Sequence, residues 1–152
     1  KYHVKKVPSP SRHFSVTVIK FDECEINLFV QLQATFQRPT TDSLQVSLTG
    51  ALRTKVEGDG AAVMVALYES GLVTDCPAGE NKGRVLANDF VVRRLEKLCS
   101  LKDTSAKKTV TGSVAFALWD SFNAAKCGVA VFVQNNSHHI FGSQSFQLPD
   151  DI

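Results

Sequence analysis

The chain has 152 residues, of which 43% are hydrophobic and 21% are charged, and its formal net charge at pH 7 is +2. This apolar fraction is that of an ordinary globular protein, so the composition excludes a chain that is disordered throughout. The length suits one domain, and the near-neutral charge argues against a dedicated nucleic-acid-binding protein. We therefore expect no nucleic-acid partner. The sequence also lacks the run of about 18 apolar residues that a membrane-spanning helix needs, so we expect no transmembrane segment.

The first 13 residues form a basic segment. They contain four Lys or Arg residues and no acidic residue, and Pro8 and Pro10 would interrupt a regular element. We predict a flexible basic arm over residues 1–13 and a single β-sandwich domain over residues 14–152. Because residue 1 is Lys rather than Met, we interpret the chain as a fragment, a processed form or the translation of an incompletely defined gene.

Apolar and polar residues alternate through most of the remaining chain, which is typical of β-strands with one buried face. The predicted strands cover residues 26–37, 44–48, 61–69, 110–118, 128–134 and 139–148. The first pattern places Leu28, Val30 and Leu32 on its apolar face and Phe29 on its mostly polar face. Residues 61–69 and 128–134 are almost continuously apolar, as strands at the centre of a sheet are.

Turn-forming residues separate these strands. Arg38–Asp42, residues 57–60 (Glu-Gly-Asp-Gly) and residues 135–137 (Asn-Asn-Ser) predict three turns. Residues 85–98 fit either a helix or a strand, and we favour a strand because all their neighbours are strands. The fold class predicted is all-β, an antiparallel β-sandwich of about seven or eight strands with at most one short helix.

The four cysteines, Cys24, Cys76, Cys99 and Cys127, are far apart in sequence and form no C-x-x-C pair. This spacing encodes neither a thioredoxin-type redox motif nor a zinc ribbon. In an oxidising compartment, Cys76 and Cys99 are candidates for a disulfide. We favour free, mostly buried thiols in the cytoplasm over a secreted protein.

Residues 64–74 form a strand and its exit, followed at residues 79–93 by Gly-Glu-Asn-Lys-Gly-Arg-Val-Leu-Ala-Asn-Asp-Phe-Val-Val-Arg and at residues 129–134 by Val-Ala-Val-Phe-Val-Gln. This order resembles the C-terminal half of an uncharacterised family of thioredoxin-like proteins, whose bacterial members are often described as secreted and which has plant relatives. The resemblance to the plant members extends over residues 34–152. It implies a β-sandwich that follows a thioredoxin-fold half.

The thioredoxin half has no counterpart in this sequence. Residues 1–33 do not resemble the family sequence that should precede residue 34, and Cys24 lies between acidic residues that disfavour a thiolate. We therefore do not transfer redox activity from the family to this chain.

The segment from Gly79 to Arg93 is the candidate binding loop. Its glycines allow close backbone approach, and its arginines could bind a carboxylate or phosphate through two parallel hydrogen bonds. The candidate residues are Gly79, Glu80, Asn81, Gly83, Arg84, Asn88 and Arg93. A purely structural interpretation is favoured, in which the glycines serve turns, Glu80 pairs with Arg84 or Arg93, and Asn88 holds the loop. Docking of a thioredoxin-fold domain and a small-anion site are the alternatives.

Other chemistries have weaker support. His138 and His139 are neighbours, so on a strand they would point to opposite faces and could not easily share a metal ion. No serine lies in a G-x-S-x-G elbow, and no paired carboxylates are indicated. Trp119 could stack on a sugar or peptide, but a lone Trp at a strand end more often packs at the rim of a core. We expect no metal, no cofactor and no catalytic residue.

These observations favour a non-enzymatic interaction or structural module, the C-terminal part of a thioredoxin-like protein of unknown function. It would bind a thioredoxin-fold domain or another protein through its edge strands or the Gly79–Arg93 segment. The alternatives are a fragment or subunit of a thiol-disulfide oxidoreductase that needs a separate thioredoxin-fold domain, and a binder that uses the basic arm.

Overall fold

The computed structural model describes residues 4–7, 16–19, 29–53, 56, 60–101 and 109–152. Within these ranges the regular structure is almost entirely antiparallel β, which confirms the predicted fold class. The strands are β1 (Val4–Val7), β2 (Val16–Ile19), β3 (Phe29–Thr40), β4 (Ser43–Leu52), β5 (Ala62–Glu69), β6 (Leu72–Asp75), β7 (Val85–Asn88), β8 (Val91–Ser100), β9 (Thr109–Ala117), β10 (Cys127–Gln134) and β11 (Ile140–Gln147). A three-residue 3₁₀ turn spans Ala124–Lys126.

Two sheets form the sandwich. The larger has the strand order β1-β2-β8-β5-β10-β11, the smaller has the order β3-β4-β9, and β6 and β7 form a separate two-stranded sheet. The described residues thus contain more strands than the seven or eight predicted. The difference comes from four strands of only four residues each, which are too short to show a period-two pattern.

The main core lies between the two sheets. Val63, Val65 and Leu67 of β5 and Val129 and Val131 of β10 have no exposed surface there. The smaller sheet covers them with Leu44, Val46, Leu48, Val110 and Phe116. Alternate residues of each strand therefore supply this core, as the predicted period of two requires.

The central strands of the larger sheet are also buried on their outer face. Ala66, Tyr68, Ala130, Phe132 and Ile140 form a second apolar cluster there. Burial on both faces explains why β5 and β10 are continuously apolar rather than alternating, and it confirms their predicted central position.

The face assigned to Phe29 from the sequence is wrong. Phe29 is 2% exposed and Leu32 is 5% exposed, although three positions separate them. The register of β3 against β4 shifts between Val30 and Gln33, and Gln31 has a φ of 49°. This bulge adds one residue to β3, so Phe29 and Leu32 both face the core.

Two predicted turns are confirmed as hairpin connections. Thr40 pairs with Ser43, so β3 and β4 are joined by a tight two-residue turn. β10 and β11 are joined through Asn135, whose side-chain oxygen accepts a hydrogen bond from the His139 N–H at 2.9 Å. Residues 57–59 of the third predicted turn lie outside the described residues.

Residues 85–98 belong to β7 and β8, so the strand interpretation of this segment is confirmed. Most of the predicted basic arm lies outside the described residues, but Val4–Val7 forms β1 and pairs with β2. The arm over residues 1–13 and the domain over residues 14–152 stay predictions.

Candidate interaction surface

Residues 70–90 form a two-stranded extension of the larger sheet, which we call the ribbon. Glu69 pairs with Val91 at the end of the sheet, and Leu72 pairs with Asn88 at the start of the ribbon. From Glu69 to Leu72 the chain advances three residues, and from Asn88 to Val91 it also advances three, so the register of the sheet is kept in the ribbon. The ribbon is therefore the continuation of the β5–β8 hairpin.

Side chains bridge the bend between sheet and ribbon. The Gly71 N–H donates to the Asp89 carboxylate at 2.8 Å, and the Phe90 N–H donates to the Ser70 hydroxyl at 3.1 Å. These two bonds satisfy backbone donors at the point where the strand ladder is interrupted.

A tight loop closes the tip of the ribbon. The Cys76 N–H donates to the Arg84 carbonyl at 3.0 Å, and the Gly83 N–H donates back to the Cys76 carbonyl at 2.8 Å. Gly79 and Gly83 have φ values of 82° and 79°. A Cβ at either glycine would meet no atom within 4 Å, so backbone conformation rather than space accounts for these glycines.

One face of the ribbon is exposed and carries three apolar side chains and one carboxylate. Val73 pairs with Ala87 and Asp75 pairs with Val85, so these four side chains share one face. Val73 is 69% exposed and Val85 is 65% exposed. The opposite face carries the partly buried Leu72 and Leu86.

Two further exposed hydrophobic side chains lie outside the strands of the ribbon. Phe90 is 45% exposed and Leu95 is 48% exposed. Phe90 has a φ of 55°, which is unfavourable for a bulky side chain, and its ring lies 5.4 Å from that of Tyr68. Among the described residues, every large hydrophobic side chain that is exposed lies between Val73 and Leu95.

Arg93 lies at the base of the ribbon and is half-buried in an ion pair with a buried carboxylate. Its guanidinium donates to the Glu69 carboxylate at 2.9 Å, and Glu69 is 5% exposed. The guanidinium also lies 4.3 Å from the centre of the Trp119 ring. The structural interpretation of the sequence pairs Glu80 with Arg84 or Arg93. In the described part of the chain, the carboxylate that pairs with Arg93 is that of Glu69.

Trp119 follows β9 and packs at the rim of the main core. Its ring contacts arginines of β8, so it lies between a strand of the smaller sheet and a strand of the larger one. Its ring meets Phe122 edge-on at 5.3 Å. Arg94 lies 5.8 Å from the same ring and donates to the Ala117 carbonyl at 2.9 Å, which joins β8 to β9. The indole N–H of Trp119 is buried, and no described residue accepts a hydrogen bond from it.

The candidate binding residues named from the sequence lie partly in the ribbon and partly in β8. The tip and strands of the ribbon carry Gly79, Glu80, Asn81, Gly83, Arg84 and Asn88, and Arg93 lies in β8 beyond the bend. The side-chain amide of Asn88 donates to the Leu86 carbonyl at 3.4 Å, within its own strand. Glu69 was not predicted as a site residue, because its only signal in the sequence is its position as an acidic residue at the end of an apolar strand.

The Cys76–Cys99 disulfide is not formed, and both residues are free thiols. Cys76 lies in the ribbon tip, whereas Cys99 pairs with Val63 at the far end of β8. The eight residue-to-residue steps from Val91 to Cys99 alone span about 27 Å. A disulfide needs Cα atoms within about 7 Å.

The two thiols inside the sandwich are held protonated. Burial, and secondarily the charge of Glu69, raise the pKa of Cys127 to about 11. Burial also raises the pKa of Cys99, against a backbone hydrogen bond from Val63 that lowers it. Cys24 lies outside the described residues.

The two adjacent histidines are placed in a turn rather than on a strand. His138 has a φ of 63°, and the ring of His139 meets Phe141 edge-on at 4.8 Å. Within the described ranges, no three His, Cys, Asp or Glu side chains come together as a set of metal ligands.

Comparison with known proteins identifies the family. Residues 20–134, more than half of the chain, match the family described as "Protein of unknown function (DUF1223)". The chain belongs to this family. The matched DUF1223 range includes the whole ribbon and the Glu69–Arg93 pair. A search of curated proteins found no match.

Among solved structures, a domain of the outer membrane lipoprotein Omp28 from Porphyromonas gingivalis is similar to this DUF1223 chain. The TM-score is 0.48 and the sequence identity is 15%, and the similarity covers 81% of this chain and 89% of that one. The helical structure in the described residues of the DUF1223 chain amounts to one 3₁₀ turn, which is too short to cross a membrane.

Proposed function

We propose that this chain is a non-enzymatic interaction module that binds a protein partner through the ribbon and the start of β8. The observation that carries the proposal is the exposed face of the ribbon, on which Val73 is 69% exposed and Val85 is 65% exposed. Contiguous exposed apolar surface on a soluble domain is typical of a protein-binding site.

The architecture of the ribbon supports the same function. A two-stranded hairpin is marginally stable in water unless another element packs on it. The face with Val73 and Val85 has no such cover in the described part of the chain. A partner on this face would both bury the valines and stabilise the ribbon.

The buried thiols support an interaction role over thiol chemistry. The raised pKa values of Cys99 and Cys127 keep both thiols in the unreactive protonated form at neutral pH. The resemblance to thioredoxin-like proteins supports a thioredoxin-fold domain as one class of partner, in which case that domain would supply any redox chemistry.

Site-specific photo-crosslinking in the organism that encodes the chain tests this function. A photoreactive amino acid would replace Val73 or Val85 and, as the control, Thr111, which is exposed on β9. We expect discrete protein adducts from positions 73 and 85 and none from position 111.

Two results would contradict the proposal. Absence of a discrete adduct at both ribbon positions would remove the interaction surface, and equal adducts at position 111 would show that the contact is not specific to the ribbon. The mass of a specific adduct would identify the partner class.

A further inference from the structure

We propose that the partner of the ribbon is an extended protein segment that adds as a third strand beside β6, with a basic residue facing Asp75 and an apolar residue facing Val73. This inference rests on the proposed function, because it names the chemistry of the occupant of the same surface. Three properties of β6 support it: the direction of its backbone hydrogen-bonding groups, its open edge and the charge of Asp75.

The backbone of β6 has hydrogen-bonding groups that point away from β7. The Cys76 N–H, one residue after β6, donates to the Arg84 carbonyl at 3.0 Å, so these two residues form a hydrogen-bonded pair in register with the ribbon. Hydrogen-bonded and non-hydrogen-bonded pairs alternate along an antiparallel ladder. The backbone of Thr74 is therefore bonded to β7, whereas the N–H and C=O groups of Val73 and Asp75 point to the opposite side.

This side of β6 is an open sheet edge. Within the described ranges β6 pairs with β7 alone, and Val73, Thr74 and Asp75 are all exposed. The strand has no proline, no lysine and no bulge, the features that commonly block an edge. An extended segment beside β6 would bond to the outward N–H and C=O groups, as peptides do at the sheet edges of other proteins. It would also supply the third strand that an isolated hairpin needs for stability.

The side chains of Val73 and Asp75 determine which segment fits. They are two positions apart, so both lie on the exposed face, about 7 Å from each other along the strand. The ion pair found among the described residues joins Glu69 to Arg93, so no described basic side chain pairs with Asp75. Covering a carboxylate that has no basic partner is costly, and opposite charges across neighbouring strands stabilise their pairing. The segment therefore needs Lys or Arg opposite Asp75, and an apolar residue that buries Val73.

An antiparallel third strand fixes the order of these two residues. Its chain runs opposite to β6, so the residue that faces Asp75 comes two positions before the residue that faces Val73. The expected sequence is Lys or Arg, then any residue, then an apolar residue, which we call the basic–any–apolar order. A parallel strand would need the reverse order.

Selection of random peptides displayed on phage against the purified full chain tests this sequence. We expect the wild-type chain to enrich peptides with the basic–any–apolar order. Asp75→Lys should change the preferred charge at the first position from basic to acidic, because the segment would then face a lysine. Thr111→Lys, which adds a lysine on the exposed face of β9, should keep the preference for a basic residue.

Two substitutions of Val73 test whether the backbone of β6 makes the contact. Val73→Pro keeps an apolar side chain but removes the outward N–H, at a place where an edge strand tolerates proline. Val73→Ala keeps the N–H and shortens the side chain. Fluorescence anisotropy of a labelled peptide with Lys-Thr-Val at its centre measures both. We expect the proline variant to bind more than about tenfold more weakly than the wild type, and the alanine variant about threefold more weakly.

Several outcomes would overturn the inference. A selection that enriches no peptides of this order, a charge preference that Asp75→Lys leaves unchanged, or a proline variant that binds as tightly as the alanine variant would each do so. The proposed function fails separately, since it requires only a specific protein adduct at positions 73 and 85. Such an adduct, to a partner without a basic–any–apolar segment, would overturn the added strand and leave the interaction module supported.

Discussion

Arg84 and Arg93 are two arginines of one sequence motif with different surroundings. Arg84 is exposed at the ribbon tip, whereas Arg93 donates to the buried carboxylate of Glu69 and stacks on Trp119. Removing one partner of a buried pair is costly because it leaves the other charge uncompensated, while an exposed charge contributes little.

We therefore expect Arg93→Ala to lower the free energy of unfolding by about 2 kcal/mol and Arg84→Ala to change it by less than about 0.5 kcal/mol. Urea denaturation followed by circular dichroism measures both. Arg93→Lys is the control, since it keeps the charge but loses the planar stacking on Trp119, and it should be intermediate. Equal effects of the two alanine substitutions would contradict this account.

Cys127 makes the stability of the fold depend on alkaline pH. Burial, followed by the charge of Glu69, raises the pKa of this thiol from 9.0 to about 11. Between these values the unfolded chain has lost a proton that the folded chain keeps, so the free energy of unfolding falls as pH rises from 9 to 11.

The expected loss from this thiol is roughly 1–2 kcal/mol across that interval. Urea denaturation at pH 8 and pH 11 should show it. Cys127→Val removes the titrating group and keeps a buried apolar side chain, so the difference between the two proteins isolates this thiol from Tyr68 and Cys99, whose pKa values are also raised. An identical pH dependence in the valine variant would show that Cys127 is not responsible.

At the scale of elements, the bulge in β3 determines which face Phe29 occupies. Deletion of Gln31 would leave Phe29 and Leu32 two positions apart, and residues two positions apart lie on the same face of a regular strand without a bulge. We therefore expect the free energy of unfolding of the deletion variant to stay within about 1 kcal/mol of the wild type, as measured by urea denaturation.

Gln31→Gly is the matched control for that deletion. It keeps the residue count, and glycine accepts the φ of 49° without strain. Its free energy of unfolding should lie within about 1 kcal/mol of the wild type. A deletion variant destabilised by more than about 2 kcal/mol, beside a stable glycine variant, would show that the bulge itself is required and contradict this account.

For the molecule as a whole, the ribbon should be separable from the sandwich. Neither core cluster includes a residue between Leu72 and Asn88. Deleting residues 72–88 would join Gly71 to Asp89 and leave Ser-Gly-Asp-Phe as a four-residue loop between β5 and β8, a length that hairpins use often.

We expect the shortened chain to unfold cooperatively, with a free energy of unfolding within about 1 kcal/mol of the wild type, and to lose partner binding. Thermal unfolding by circular dichroism measures the first, and co-purification with the protein captured by photo-crosslinking measures the second. Loss of cooperative unfolding would show that the ribbon is needed for the sandwich to fold.

The sequence predicts the sandwich well because its signals are local. The continuous apolar runs of β5 and β10 follow directly from burial on both faces, and the Asn135 turn follows from turn chemistry. Phe29 was misplaced because one added residue inverts the alternation, and a bulge leaves no fixed mark in a single sequence. The pairing of Glu69 with Arg93 depends on the strand register, which links residues 24 positions apart.

The unbroken register from Glu69–Val91 to Leu72–Asn88 also has a consequence for the order of folding. The loop at the ribbon tip is the shortest chain closure that can begin the pairing of β5 with β8, and every pair formed from the tip inward lowers the entropy cost of the next one. The two central strands can thus close from the tip, by contacts between residues near in sequence. In a β-sandwich, where most strand pairs must find distant partners, such a local start favours rapid folding.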